Sequence, residues 1–481
     1  MTLASEVRYA TVADLASGLR RRRYSAVELA GATCDLLQEK GPRYNAIAAV
    51  MRDRALREAR AADRALAAKT ARSRLVGVPY GAKDLLAAKG APTTWGAPPF
   101  ADQVFDFDAT AITRLRRAGA VLAGKLAMVE LAGGGGYRYP SASLQGPGLN
   151  PWDTERWSGG SSSGSGSSVG AGLVPFALGS ETSGSIGTPA AYCGVTGLRP
   201  TYGLVSRHGA MALCWTLDKI GPMARTAEDC GLVLEAIAGG DPEDRTTSGK
   251  RFRALTGRAA TSAIRGVRVG YAGEEIEHLA TEAARPALLR GVAELRRTLR
   301  ATVVRAALPT DLPYGPMVSA VLAGEGSTIF AELIEGDRFE ELRDAKQKSG
   351  LRQGLEIKAR DYLKAMRLRV AVSDAFARIF SDCDVILSAG RTATATPITQ
   401  PLDMPPTAGG AQAPRPVGNA ALIAAANLAG LPAIFFPCGF GTDGMPVGLQ
   451  LVGPPFSEPL LVALASAYQH DTRHHLRRPK H

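Results

Sequence analysis

The chain has 481 residues, 45% of them apolar and 21% charged, which excludes a disordered or fibrous protein and leaves a folded globular one. Its 54 glycines and 30 prolines speak against a helical bundle and for an α/β fold rich in tight turns. The net charge of +12 is spread among acids outside the run Arg20, Arg21, Arg22 and Arg23, so no nucleic-acid partner is expected.

In chain order, Ser25-Ala-Val-Glu28 is a capping box that opens a helical segment, and Gly41-Pro42 stops it. Residues 75–82 are an apolar, turn-bounded run that reads as a strand delivering Lys83 and Asp84 at its end. Residues 109–119 form an amphipathic helical pattern leading into a short strand at 120–123. The Gly/Ser tract at 157–168 has a linker's composition, but its small apolar flank at 169–178 suits a helix packed tightly against a strand. A polar loop at 239–262 precedes a strand at 267–272, a mostly helical stretch at 280–380 and a strand at 384–387. The Pro- and Gly-rich segment 388–418 is long for a structureless connection and reads as a functional loop. Alternating strands and helices predict an α/β protein with helices on both faces of a sheet. The six cysteines have no metal-ligand spacing, and no run of about 18 apolar residues occurs. Reduced thiols, no membrane association and a cytoplasmic location are therefore expected.

Three familiar patterns fail on context. Gly119-x4-Gly124-Lys125 has phosphate-loop spacing, but Leu126 stands where a magnesium-binding hydroxyl belongs. Gly160-Ser-Ser162-Ser-Gly164 fits a nucleophile elbow, which needs a histidine; of the six, His470, His474, His475 and His481 cluster in a polar tail, leaving His208 and His278. Thr247-Ser-Gly-Lys250 begins with threonine where a serine nucleophile is required.

What survives runs from Asn150 through Gly203 and includes WSGGSSSGSGSS and GSETSGSIGTP. With GVPYGAKD ending at Asp84 and NLAGLPAIFFPCGFGTDGMPVGLQLVG from Asn427, this order of motifs resembles the amidase signature family over nearly the whole chain, most weakly between about 240 and 350. The resemblance implies one amidase domain over 1–481, an α/β fold with a large, mostly parallel mixed sheet covered by helices on both faces. Within it, 1–70 is an N-terminal helical layer, 71–240 the signature core, 241–380 a variable region that shapes the pocket, and 381–475 the C-terminal strands and helix. It also implies that Ser185 is the nucleophile, Ser161, after a cis peptide bond, the bridging acid/base, and Lys83 the terminal base. Thr182, Ser183 and Gly184 would form the oxyanion hole. Met128, Gly133, Gly134, Gly135, Gly136 and Tyr137 would line the substrate pocket. No metal or cofactor is required, and the expected partner is a small-molecule substrate, met by a monomer or homodimer.

The chemistry explains these residue types. A serine hydroxyl is a weak nucleophile until a neighbour removes its proton, and without histidine a neutral lysine can serve. Keeping an ordinary lysine neutral at pH 7 costs about 4.6 kcal/mol, from a usual pKa near 10.4, so burial must lower it. Family members cleave amides, esters and carbamates, because all present a carbonyl and a protonatable leaving group. Two departures stand out: Ser183 replaces a common glycine, and Gly187 replaces a common arginine. The missing arginine argues against the glutamine-using, A-like member of a tRNA-dependent amidotransferase and removes a carboxylate anchor, favouring neutral or aryl amides.

Overall fold

A computed structural model describes residues 3–402 and 416–480. Eleven strands join in one sheet. They are β1 (Ile47–Val50), β2 (Pro79–Lys83), β3 (Val121–Leu126), β4 (Phe176–Glu181), β5 (Thr196–Arg199), β6 (Lys219–Ala224), β7 (Arg268–Tyr271), β8 (Thr302–Arg305), β9 (Val385–Ala389), β10 (Ala433–Phe440) and β11 (Pro446–Val452). Their spatial order is β1-β3-β2-β4-β6-β5-β10-β11-β9-β7-β8.

The sheet is mixed, but the expected predominance of parallel pairs does not hold. Four neighbouring pairs are parallel and six antiparallel. One physical reason is the Asp443-Gly444 turn, which joins β10 directly to β11; so short a connection can only return the chain antiparallel. The N-terminal layer also carries a strand, since the apolar run in β1 pairs with β3 at the sheet edge.

The capping box is formed as expected: Ser25 and Glu28 cap the helix Ala26–Lys40 reciprocally. The strand read at 75–82 begins later, at Pro79, because Gly77 turns the chain with a positive φ of 80°. The polar loop at 239–262 ends in a helix, Gly257–Ile264. Residues 403–415 of the expected functional loop lie outside the described residues.

The Gly/Ser tract itself is the helix, Ser163–Gly170, with every residue buried. Small side chains are what permit this: a Cβ on Gly164 would lie 2.4 Å from the Ala46 carbonyl, and one on Gly166 2.7 Å from Pro189. The tract is therefore a packing surface between β3 and the helix Gly187–Cys193, and its composition reflects backbone approach rather than flexibility. On the opposite face the helices Ala227–Ile237, Arg285–Leu299 and Glu458–Thr472 cover the sheet. All six cysteines are buried and free, and no helix among the described residues is long and apolar enough to cross a membrane.

The end of β2 is pinned by a fully buried ion pair. Lys125 Nζ lies 2.7 Å from Asp84 Oδ1, and the backbone N–H of Thr94 donates to the other carboxylate oxygen at 3.0 Å. This is the lysine of the rejected phosphate-loop pattern. Removing one member of a buried pair leaves an uncompensated charge, so Asp84→Asn should cost about 3–5 kcal/mol. Urea denaturation of the variant beside wild type checks this; an unchanged midpoint would contradict it.

Candidate active site

Lys83 is the last residue of β2, and Ser180 and Glu181 are the last of its parallel neighbour β4. Successive residues on a strand point to opposite faces, so Lys83 turns away from the side on which Asp84 meets Lys125. Its Nζ donates to Ser161 Oγ at 2.7 Å and to Ser180 Oγ at 2.9 Å. Among the described residues no carboxylate lies within ion-pair distance of it. Burial drives the Lys83 amine down to about 7, against the more distant pull of Asp218 and Glu181.

Ser161 follows the cis peptide Gly160-Ser161, as the resemblance implies. Its carbonyl accepts from the backbone N–H of Val129 at 3.1 Å, which ties this loop to the end of β3. The next residue, Ser162, donates its backbone N–H to the Ser185 carbonyl at 3.3 Å. Ser161 and Ser185, 24 residues apart in sequence, therefore stand on adjoining loops. In this structure the Ser185 hydroxyl makes no hydrogen bond with another described residue. The elbow candidate Ser162 has its hydroxyl bound to the backbone of Ser180 and no histidine beside it. Ser163, Ser165 and Ser167 likewise donate to backbone carbonyls.

The turn 182–185 is held from beneath. Thr182 Oγ1 donates to Asp218 at 2.6 Å. Glu181 accepts from the backbone N–H groups of Ile186 and Gly187, at 2.9 and 3.0 Å, and from Arg199 at 2.7 Å. Burial alone would raise the Glu181 carboxyl; the Arg199 guanidinium, with Asn427 and the Gly187 amide, brings it down to about 2. Gly184 has φ of 95°, a conformation that favours glycine. Above this anchored base, the backbone N–H groups of Ser183, Gly184 and Ser185 have no acceptor among the described residues. Such amides are available to an oxygen that gains negative charge.

A cavity of about 430 Å³ opens on this turn, with Thr182, Ser183 and Ser185 on its wall. Of the predicted pocket residues, Gly133, Gly136 and Tyr137 also border it. Gly134, Gly135 and Met128 do not. Gly135 packs against the helix Ala345–Leu355, so closely that a Cβ on Gly350 would meet its carbonyl oxygen. Met128 is buried against Gly96. Gly135 therefore admits a helix rather than a substrate, and Gly134 packs against Leu213 and Phe330.

Sequence reasoning missed several neighbours. Ser180, the second partner of Lys83, lay unremarked inside the quoted tract. Trp157 stands between Tyr137 and Tyr192 in edge-to-face contacts of 6.2 and 6.3 Å, and its buried Nε1 has no partner among the described residues. Arg391, two residues beyond β9, also borders the cavity, with Lys346. No local pattern marked either cation, and reading Gly187 as a lost carboxylate anchor did not foresee them.

A sequence profile of the amidase family matches residues 28–462. The A-type component of the glutamyl-tRNA(Gln) amidotransferase of Azoarcus sp. (strain BH72) is 37% identical over 498 aligned positions, covering 98% of this chain and 99% of that one. Among solved structures, the native peptide amidase of Stenotrophomonas maltophilia is 30% identical with a TM-score of 0.83, covering 98% of both chains. A chain of a vestigial protein complex, described in connection with the origins of an s-triazine catabolic enzyme, is 30% identical with a TM-score of 0.85, covering 98% of this chain and 100% of that one.

A lysine acting as base works only when deprotonated, so activity should be present above the Lys83 pKa of about 7 and lost below it. At pH 5 the rate should stand about 100-fold under its alkaline plateau. A pH–kcat/KM profile checks this, and a flat rate down to pH 5 would contradict it.

Proposed function

The chain belongs to the amidase family, and from that premise we propose that it hydrolyses carbon–nitrogen amide bonds through an acyl-enzyme on Ser185. The observation that carries this reading is the Lys83 amine, buried against Ser161 with its pKa brought down to about 7, because such a group takes up a proton at neutral pH.

Neutral Lys83 accepts the Ser161 proton while Ser161 accepts that of Ser185, whose Oγ attacks the carbonyl carbon. The step needs the Ser185 hydroxyl to reach Ser161, and catalytic hydrogen bonds commonly tighten only with substrate bound. The carbonyl oxygen, becoming negative, meets the N–H groups of the 182–185 turn. When the carbon–nitrogen bond breaks, Ser161 returns a proton to the departing amine. Water then repeats the sequence against the acyl-enzyme, releasing the acid and regenerating Ser185. The aromatic wall of Tyr137, Trp157 and Tyr192 suits a flat group beside the reacting carbonyl. Esters and aryl carbamates fit the same residues.

A second reading, the amide-cleaving component of a tRNA-dependent amidotransferase working with protein partners, is favoured by identity to the Azoarcus protein. The residues around the site favour the first. A Cβ at Gly187 would lie 2.5 Å from the Phe435 ring, so the arginine usual in that subfamily has no room here.

The purified chain alone should release ammonia or amine from a panel of amides, and Ser185→Ala should fall by about 10³-fold or more. Equal rates in both proteins would sink the acyl-enzyme reading. Turnover of glutamine only when partner proteins are added would favour the second reading. A fluorophosphonate adduct mapped by mass spectrometry should fall on Ser185.

A further inference from the structure

We propose that Arg391 anchors a carboxylate of the substrate, so that the chain acts on small amides carrying a carboxylate and no ammonium group. This rests on the proposed hydrolysis at Ser185 and specifies which amides that site accepts.

Arg391 is partly buried and reaches the cavity from the segment after β9. Its Nε donates to Thr188 Oγ1 at 2.9 Å, and one Nη donates to the same hydroxyl. That grip orients the planar guanidinium. The other Nη makes no hydrogen bond with a described residue, and no described carboxylate lies within ion-pair distance of it. Thr188 in turn donates its backbone N–H to the Gly184 carbonyl at 2.8 Å, one turn from Ser185. A Cβ built on Gly184 would lie 2.9 Å from the Arg391 Nη2. The cation thus sits beside the turn where the reacting carbonyl must bind.

The rest of the wall agrees in sign. Arg391 and Lys346 border the cavity, and no aspartate or glutamate among the described residues does. A wall with cations and no described carboxylate suits a carboxylate ligand, and a guanidinium takes it through two parallel N–H bonds. Among the described residues the wall holds no carboxylate to pair with an α-ammonium, which favours a dicarboxylic monoamide over glutamine.

The test compares glutaramate with its neutral counterpart glutaramide and with glutamine. Wild type should prefer glutaramate to both. Arg391→Met should lower kcat/KM for glutaramate by about 30-fold while changing glutaramide by no more than about threefold. An equal fall on both substrates, no fall on either, or a wild-type preference for glutamine would overturn the proposal. Calorimetry of glutarate binding to Ser185→Ala, with and without Arg391→Met, needs no turnover. Binding about 30-fold weaker in the double variant supports the anchor even if hydrolysis fails, and equal binding refutes it.

Discussion

The burial of one lysine amine without a countercharge is the constraint on which the rest of the structure turns. Two lysines, Lys83 at the end of β2 and Lys125 next to the end of its neighbour β3, are both fully buried. Lys125 receives Asp84 at 2.7 Å and is a structural cation. Lys83 receives only hydroxyls, from Ser161 and Ser180. Asp84 is its immediate chain neighbour, yet strand alternation turns that carboxylate to the other face. One acid is thus placed where it stabilises the strand end and leaves the proposed base without a countercharge. Exchanging those environments would produce a well-packed protein with an inert site.

A second charge arrangement does for the turn what the first does for the base. Glu181 is buried and held ionised by Arg199, and its carboxylate spends its acceptor capacity on the amides of Ile186 and Gly187. The amides just before them, of Ser183, Gly184 and Ser185, are left without an acceptor among the described residues. Anchoring one half of a tight turn with fixed hydrogen bonds orients the other half without filling it, which is how preorganised donors avoid reorganisation during reaction. The proposed nucleophile therefore inherits its position from a salt bridge beneath it.

How much of this was legible in the sequence follows from how local each feature is. The capping box at Ser25 and Glu28 and the strand-end position of Lys83 are written within a few residues, and they appear as read. The packed nature of the Gly/Ser tract was legible in its apolar flank, though the helix lies within the tract itself. The pairing directions of the sheet were not legible, because they depend on which distant strands meet. The glycine run 133–136 misled in part: glycine signals close approach, but nothing in four glycines says whether a substrate or the helix Ala345–Leu355 does the approaching. Ser180 and Arg391 carried no pattern at all, since each gains its place from a fold-level juxtaposition.

The pair Gly187 and Arg391 shows why a motif departure is a poor guide to pocket charge. Read alone, the absent arginine at 187 implies a neutral site. In three dimensions the position is closed by the Phe435 ring, so the loss is enforced by packing and not by the substrate. The guanidinium that borders the cavity instead comes from a segment about 200 residues away in sequence, gripping Thr188 on the same short helix that begins at Gly187. Direction of approach decides which part of a ligand a rigid, bidentate donor can meet.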